Sequence, residues 1–146
     1  MDRWIEVKHI MTTDLITASP DETLETVKYK LKDNHIQHIP VVEGKTIVGI
    51  ISKSDLLRME HHFTLFNSEK ALQSNKQVFS TILVGEIMTK SVVKLRETDT
   101  ASIAVDLFRE NVFHALPVVD DKDRLVGILT PLDLLKYAFD PHPGIL

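Results

Sequence analysis

Residues 49–57 read Gly-Ile-Ile-Ser-Lys-Ser-Asp-Leu-Leu, and residues 127–135 read Gly-Ile-Leu-Thr-Pro-Leu-Asp-Leu-Leu. In both stretches a hydroxyl residue stands three positions before an aspartate, after an apolar segment and before two leucines. This pattern is typical of a strand that ends where a helix begins. Because the pattern occurs twice, we predict that the chain contains two copies of one structural unit.

The repeat extends outward from these stretches over most of the chain. Ile-Met-Thr occurs at residues 10–12 and 87–89, and Pro-Val-Val occurs at residues 40–42 and 117–119, in the same order in both copies. The apolar periodicity predicts a β-α-β-β-α unit in each copy. One such unit alone would bury too little surface to be stable. We therefore predict an α/β (α+β) fold in which two units pack together.

The repeat also predicts the domain boundaries. A connecting segment between the units is rich in apolar residues and is expected to be partly helical, starting from about residue 67. The expected parts are a first unit (1–60), the connecting segment (61–83), a second unit (84–140) and a tail (141–146).

Local signals predict the short elements within each unit. Asp21 and Thr98 are the preferred helix N-caps, since they occupy equivalent positions and both residue types can cap. Asn34 and Asn111 fit left-handed residues at the helix ends. The strands are expected at residues 15–18, 38–42 and 46–51 in the first unit and at residues 92–95, 115–119 and 125–129 in the second.

Composition limits the classes of function. The chain has 146 residues, 43% of them hydrophobic and 26% charged, as in a globular protein. A net charge of −4 argues against a basic surface for nucleic acid. The chain has no cysteine and therefore no thiolate or disulfide chemistry. With no membrane-length apolar run and no signal-like N-terminus, the sequence predicts a cytoplasmic protein without nucleic-acid or membrane partners.

The repeated hydroxyl–aspartate motif has two interpretations. Ser52 with Asp55, and likewise Thr130 with Asp133, matches a capping box, which stabilises a helix by about 1 kcal/mol without any ligand. Pro131 at the first helical position favours this interpretation in the second copy. The same geometry suits a ligand, because a helix N-terminus attracts anions and a carboxylate there can accept both hydroxyls of a ribose. Aspartate in place of the more usual glutamate favours the ligand.

The chain resembles a tandem pair of cystathionine-β-synthase (CBS) domains, known as a Bateman module. The resemblance rests on the two Ile-Met-Thr segments, on Ile-Pro-Val-Val at 39–42 with Leu-Pro-Val-Val-Asp at 116–120, and on the motif stretches. It implies a stand-alone regulatory module and not an enzyme, with two repeats around a pseudo-twofold axis. Two interdomain clefts would bind an adenosyl ligand (AMP, ADP, ATP or S-adenosylmethionine), with no cofactor required. It also implies a homodimer and an unknown effector protein.

The resemblance assigns ribose contacts to Asp55 and Asp133, with Ser52 and Thr130 beside them. Other ligand-binding residues are implied near the adenine and phosphates: Ile16, Thr17, His38, Ile39, Pro40, Lys53 and Ser54 in the first copy, and Val93, Lys94, His114, Leu116 and Pro117 in the second. For Ile16 and Val93 the alternative role of core packing is favoured over ligand contact, and the two histidines are equally well explained as plain strand-edge residues. Since Lys53 can neutralise phosphate whereas Pro131 has no N–H, the site at Asp55 is favoured for a phosphorylated ligand.

Other functions have less support in the sequence. His35, His38 and the histidine pair at 61–62 do not provide three or four converging ligands, so no metal site is expected. No catalytic motif is present, and hence no catalytic residue is expected. Two alternatives stay open: an adaptor with empty clefts that docks a partner through residues 58–84, and a weak enzyme acting on nucleotides.

Overall fold

The computed structural model describes residues 1–66 and 77–140, with side chains described only up to residue 62 in the first of these ranges. The helix predicted from about residue 67 therefore begins outside the described residues. Among the helices that are described, none combines the length and the apolar character needed to cross a membrane.

The two repeats have the same order of helices and strands. Each contains a helix, a β-hairpin and a second helix, which confirms the predicted α/β class and the repeated unit. The described elements are a 3-10 turn (Val7–His9), α1 (Leu24–Asp33), β1 (His38–Glu43), β2 (Thr46–Ser52), α2 (Lys53–Phe66), α3 (Val84–Ile87), β3 (Leu95–Arg96), α4 (Ala101–Arg109), β4 (Leu116–Val119), β5 (Leu125–Leu129) and α5 (Pro131–Phe139).

Both hairpins have the same register. β1 and β2 are antiparallel with Val41 opposite Gly49, and β4 and β5 are antiparallel with Val118 opposite Gly127. In each hairpin the register shifts immediately after this pair. The predicted hairpin strands are confirmed to within one residue at each end.

The prediction of the first strand of each unit is less accurate. The prediction of a strand at residues 15–18 is wrong, because only Ala18 pairs, in a parallel bridge with Val41. In the second copy the strand is β3, which lies at residues 95–96 and pairs in parallel with β4. The apolar pattern does not fix these bounds, because each segment pairs with its hairpin over only one or two residues.

The chain divides into two compact units, and these units exchange the opening segments of the repeats. Unit 1 consists of Met1–Leu15 with Val93–Leu146, and unit 2 consists of Ile16–Val92. The Ile-Met-Thr segment at 10–12 therefore belongs with the second repeat, and the one at 87–89 belongs with the first. The predicted boundaries describe the sequence repeat, whereas the compact units cut across it.

Backbone hydrogen bonds fix each exchanged segment in an equivalent way. In unit 1 the Val7 N–H donates to the Asp99 carbonyl at 2.7 Å, and in unit 2 the Val84 N–H donates to the Glu22 carbonyl at 2.8 Å. Val7 and Val84 are both fully buried. Each valine is part of the hydrophobic core of its unit. The opening segment of each repeat is thus part of the hydrophobic core that contains most of the other repeat.

A methionine of each exchanged segment packs directly on a glycine of the hairpin. A Cβ added at Gly49 would lie 2.4 Å from Met88 Sδ, and one added at Gly127 would lie 2.3 Å from Met11 Sδ. The threonine after Met88 exchanges two backbone hydrogen bonds with Ile50, at 2.9 and 3.1 Å. The glycine of the hairpin and the methionine of Ile-Met-Thr recur together because the glycine, which has no side chain, leaves the space that the methionine fills.

Carbonyls distant in sequence help to explain why the predicted N-caps are wrong. α1 begins after Thr23 and α4 begins after Thr100, not after Asp21 and Thr98. The first N–H groups of these helices donate to carbonyls distant in sequence. Leu24 donates to Ile82 of the connecting segment at 3.0 Å, and Ala101 donates to Ile5 of the exchanged N-terminal segment at 2.8 Å. Backbone groups distant in sequence therefore satisfy the first amide of each helix, and Thr23 also caps α1 locally by accepting the Thr26 N–H at 3.3 Å.

At the helix ends, the left-handed residue is confirmed for Asn111, with φ 58°, and wrong for Asn34. Asn34 has φ −100°, and the following residue, His35, takes the left-handed conformation with φ 54°. The Ile36 N–H donates back to the Leu31 carbonyl at 3.1 Å, which closes this helix end. The first helix thus extends one residue further than the repeat predicts.

Asp120 closes the turn between β4 and β5 and is only 7% exposed. Its Oδ1 accepts the backbone N–H groups of Lys122 and Arg124, both at 2.9 Å, and its Oδ2 accepts Arg124 Nε at 2.8 Å. The Arg124 backbone N–H, followed by the Arg124 guanidinium and the Lys122 amide, lowers the pKa of Asp120 against the opposing effect of burial. This buried carboxylate therefore stabilises the turn in its ionised form.

Replacing Gly49 with alanine should destabilise the protein by about 1–3 kcal/mol, because the new Cβ displaces Met88 and lies 3.1 Å from the Thr89 carbonyl oxygen. In a Met88→Ala background the same change should cost less, with a coupling free energy of about 0.5–3 kcal/mol. Urea unfolding of the four proteins measures this coupling. Thr46→Ala, at an exposed position of β2, is the control. Equal costs in both backgrounds would contradict the packing role of Met88.

Asp120→Asn should lower the free energy of unfolding at neutral pH. Because the folded-state pKa is depressed, the stabilising contribution is present above the unfolded-state pKa of about 4 and is lost as the pH falls through the folded-state pKa. The difference from wild type should therefore shrink on acidification, as measured by urea unfolding across a pH series. Asp121→Asn, at the exposed neighbouring position, should show little difference at any pH. A pH-independent difference for Asp120→Asn would contradict this account.

Candidate functional site

Ser52 and Asp55 are bonded reciprocally where β2 ends and α2 begins. The Ser52 N–H donates to Asp55 Oδ2 at 2.8 Å, and the Asp55 N–H donates to Ser52 Oγ at 3.1 Å. These two bonds are those of a capping box. Ser54 Oγ lies 2.9 Å from Ser52 Oγ, so a second hydroxyl stands at the same helix start.

The second copy has the same arrangement at the start of α5. The Thr130 N–H donates to Asp133 Oδ2 at 2.9 Å, and the Asp133 N–H donates to Thr130 Oγ1 at 3.3 Å. Pro131 occupies the first helical position. The capping interpretation is therefore confirmed in both copies. It does not exclude a ligand, because each carboxylate oxygen can accept more than one hydrogen bond.

The other carboxylate oxygen has a different partner in each copy. Asp55 Oδ1 accepts the guanidinium of Arg58, one helical turn further along α2. Asp133 Oδ1 accepts the hydroxyl of Thr12 at 3.0 Å, from the exchanged segment of unit 1. The motif aspartate is thus ion-paired in unit 2 and bonded to a neutral hydroxyl in unit 1.

Sequence reasoning missed both of these partners. Arg58 follows Asp55 at the i,i+3 spacing of helical ion pairs, which was a usable signal. Thr12 had no such signal, because its contact with Asp133 depends on the exchange of segments between the repeats.

Other predicted residues of the first copy lie near the same end of the hairpin. His38 is the first residue of β1 and lies opposite Ser52 in the β1–β2 register. Ile16 and Thr17 precede Ala18, which bonds to β1 through the Pro40 carbonyl at 3.1 Å. Ile16 also packs on the core of unit 2, which confirms its alternative role. Unit 2 therefore sets Ser52 and His38 opposite each other, with Ala18 bonded to β1 and the Thr17 carbonyl accepting from Lys30 Nζ of α1 at 2.9 Å.

Four of the predicted residues have buried side chains and can reach a ligand only through backbone atoms or a small exposed part of the ring. Ile39 and Leu116 are fully buried and belong to the cores of their units. Pro40 and Pro117 are also buried. Burial does not alternate along these strands, because residues 39–41 and 116–119 are all buried, so the motif sequence alone did not distinguish a lining residue from a core residue.

In the second copy, three predicted residues are exposed. Val93 is 39% exposed, so its predicted alternative role in core packing is wrong. Lys94 forms an ion pair with Asp123 at 2.8 Å. His114 is exposed before the start of β4. These side chains are accessible, and the ammonium of Lys94 already has a carboxylate partner.

Each motif can therefore offer the same chemical groups to a ligand. These groups are a carboxylate, a hydroxyl and the amides of a helix start, which together suit a molecule that combines a vicinal diol with an anionic part. Metal binding has no comparable arrangement among the described residues, where no cluster of three or more histidine, aspartate or glutamate side chains is present.

Thr12→Val should destabilise the protein by about 0.5–1.5 kcal/mol through loss of the hydrogen bond to Asp133. The loss should largely disappear in an Asp133→Ala background, as measured by urea unfolding. The matched control is Thr89→Val in the other Ile-Met-Thr segment, because Asp55 accepts from Arg58 on the corresponding side. A cost for Thr12→Val that is unchanged without Asp133 would show that the hydroxyl acts elsewhere.

Comparison with known proteins identifies the repeat. The family model described as the CBS domain matches residues 7–62 and 84–140. The chain is 32% identical over 127 residues to the uncharacterized protein MJ1225 of Methanocaldococcus jannaschii, covering 87% of this chain and 45% of that protein. It is 33% identical over 134 residues to an inosine-5'-monophosphate dehydrogenase of the same organism, covering 91% of this chain and 23% of the enzyme. The chain thus spans less than half the length of these two relatives.

Solved structures agree with this assignment. The crystal structure of CBSX2 in complex with AMP superposes with a TM-score of 0.75 at 29% identity, covering 91% of this chain and 95% of that one. The CBS domain pair of protein MJ0100, in complex with 5'-methylthioadenosine and S-adenosyl-L-methionine, superposes with a TM-score of 0.71 at 28% identity, covering 92% and 95%. The chain belongs to the CBS-domain family and carries two CBS domains in tandem.

Proposed function

We propose that this chain is a regulatory module that binds an adenosyl ligand, either an adenine nucleotide or S-adenosylmethionine, at the Ser52–Asp55 and Thr130–Asp133 motifs. The observation that supports this proposal most is the carboxylate held at a helix start in both units by the same pair of hydrogen bonds. Similar CBS pairs are known with AMP and with 5'-methylthioadenosine and S-adenosyl-L-methionine bound.

The capping box prepares the aspartate for this role. One carboxylate oxygen holds the backbone N–H of Ser52 or Thr130, which fixes the orientation of the carboxylate before any ligand arrives. The remaining acceptor positions then take the two ribose hydroxyls. Capping and ligand binding are therefore compatible uses of one side chain.

The remaining predicted residues complete the proposed sites. Ile16 and Thr17 in unit 2 flank the adenine, as do Val93 and Lys94 in unit 1. The chain at residues 38–40 and 114–117 contributes mainly backbone groups, since Ile39 and Leu116 are buried. His38, whose backbone lies opposite Ser52 in the β1–β2 register, is proposed to contact a phosphate.

The two proposed sites differ in charge. Near Asp55 stand the guanidinium of Arg58 and the exposed Lys53, whereas Pro131 at the position equivalent to Lys53 provides neither a cation nor an N–H. We assign the phosphorylated ligand to the Asp55 site for this reason. Arg58 would exchange its carboxylate partner for a ligand phosphate at little cost, because its side chain is 73% exposed.

Signalling would follow from the exchange of segments. Thr12, which bonds to Asp133, belongs to the N-terminal segment that completes the core of unit 1. A ligand that displaces the Thr12 hydroxyl from Asp133 therefore removes one of the hydrogen bonds that hold this segment. The output is a change of conformation or oligomeric state that is read by an effector protein, and we propose a homodimer as the working form.

An adaptor function has one observation in its favour. Three large apolar side chains of α5 are well exposed: Leu132 (57%), Leu135 (54%) and Phe139 (82%). Their spacing places them along one face of the helix. Residues 58–84, where an adaptor contact is expected from the sequence, lie partly outside the described residues.

Calorimetric titration of the full chain with AMP, ATP and S-adenosylmethionine tests the proposal. At least one ligand should bind saturably, and Asp55→Ala or Asp133→Ala should weaken it about tenfold or more, since each removes charge-assisted hydrogen bonds to the ribose. Ser52→Ala separates the two roles of the motif. It should weaken the helix cap by about 1 kcal/mol while keeping the carboxylate, and so retain most of the affinity.

Asp33→Ala, at an exposed position of α1, is the control for removing an acidic charge from unit 2. The proposal fails if none of the three ligands binds to the folded protein. It also fails if Ser52→Ala and Asp55→Ala reduce binding equally and in proportion to their loss of stability, because the motif would then be helix capping alone.

A further inference from the structure

Lys30 of α1 bonds to the chain that enters unit 2. Its Nζ donates to the Thr17 carbonyl at 2.9 Å and also forms an ion pair with Glu22 Oε1. The other carboxylate oxygen, Glu22 Oε2, accepts the backbone N–H of Ser19. One lysine and one glutamate therefore hold both ends of residues 17–19, which we call the entry segment.

The hairpin holds only the middle of the entry segment. The Ala18 N–H donates to the Pro40 carbonyl at 3.1 Å, and the Ala18 carbonyl accepts the Val42 N–H at 2.8 Å. Ala18 is 2% exposed, whereas Thr17 before it is half-buried. A single paired residue leaves the conformation of its neighbours open, so the bonds from Lys30 and Glu22 supply the restraint that a longer strand would give.

Glu22 is itself held by the backbone around it. Its N–H donates to the Ser19 carbonyl at 3.1 Å, and its carbonyl accepts the N–H of Val84, which is fully buried. The side chains of Lys30 and Glu22 are only 31% and 25% exposed, so water screens their attraction less than that of a fully exposed pair. The entry segment is therefore bonded to a helix on one side and to a fixed carboxylate on the other.

The second repeat keeps the carboxylate but not the lysine. Asp99, the equivalent of Glu22, accepts the backbone N–H of Arg96 at 2.8 Å. The equivalent of Lys30 is Leu107, which packs on the core of unit 1 and has no group that could donate to a carbonyl. The helix forms in both units. The lysine is therefore not needed to build the repeat, and the bond to the carbonyl of the entry segment is specific to unit 2.

We propose that Lys30 and Glu22 are positioning residues of the adenosyl site at Asp55, and that they fix the entry segment before a ligand arrives. This inference rests on the proposed function, in which Thr17 flanks the adenine. Neither Lys30 nor Glu22 needs to touch the ligand. A segment that is ordered in advance costs less conformational entropy on binding, so the pair raises the affinity of the site in unit 2.

Titration with AMP in an Asp133→Ala background measures this effect at the Asp55 site. Lys30→Leu, which introduces the residue of the second repeat, should weaken binding about three- to tenfold, because the entry segment must then be ordered during binding. Lys30→Arg should keep most of the affinity, since a guanidinium can bond to both the carboxylate and the carbonyl. Lys45→Leu, at an exposed position of the β1–β2 turn, is the control for removing a positive charge from unit 2 and should bind like the background protein.

Two further measurements separate positioning from charge and from stability. The loss caused by Lys30→Leu should be equally large for adenosine, which has no phosphate for an ammonium to attract. In the ligand-free variant, the amides of Ala18 and Ser19 should exchange hydrogen faster than in wild type, while exchange in the β1–β2 hairpin stays unchanged.

The inference is overturned if Lys30→Leu lowers the free energy of unfolding but binds AMP as tightly as the background protein. It is also overturned if only AMP binding is weakened and adenosine binding is not, if Lys30→Arg is as damaging as Lys30→Leu, or if exchange in the entry segment is unchanged. A background protein that does not bind AMP at all would instead overturn the proposed site at Asp55, and this inference with it.

Discussion

The contact of each Ile-Met-Thr methionine with a glycine of the opposite repeat is the constraint on which the two units depend. Met88 occupies the space that a side chain at Gly49 would need, and Met11 does the same at Gly127. The same segments place a fully buried valine in each core, and the N-terminal segment also supplies a carbonyl to the first amide of α4. The core of each unit contains residues of both repeats. The exchange of segments therefore makes each repeat depend on the other.

The repeated motif combines an observed cap with the proposed ligand contact. The hydroxyl and the aspartate satisfy amides at the helix start, which stabilises the repeat whether or not a ligand is present. The same bonds orient the carboxylate and leave acceptor positions for a diol. The two copies differ in the partner of the other oxygen, Arg58 for Asp55 and Thr12 for Asp133. Two motifs with the same hydroxyl–aspartate pattern can therefore form sites that differ in charge and in hydrogen-bond partners.

Much of the fold was predictable because the decisive signals are local and repeated. The hairpin strands follow from continuous apolar segments, and the helix starts after Ser52 and Thr130 follow from the capping pattern. The starts of α1 and α4 were predicted two residues too early, since Thr23 caps α1 and carbonyls distant in sequence satisfy the first amides of both helices. The site was predictable in its hydroxyl–aspartate pair but not in Thr12, whose contact spans the exchange, nor in the direction of Ile39 and Leu116, which are buried.

The most direct test of the central claim is an amide chemical-shift titration of the isotope-labelled chain with AMP. If the motif carboxylates bind the ribose, the largest saturable shifts should occur at the amides of Ser52 and Asp55, or of Thr130 and Asp133, which take part in the capping boxes. Pro131 has no amide and provides no signal. Saturable shifts confined to other residues, or no shifts at all with the fold intact, would contradict the account.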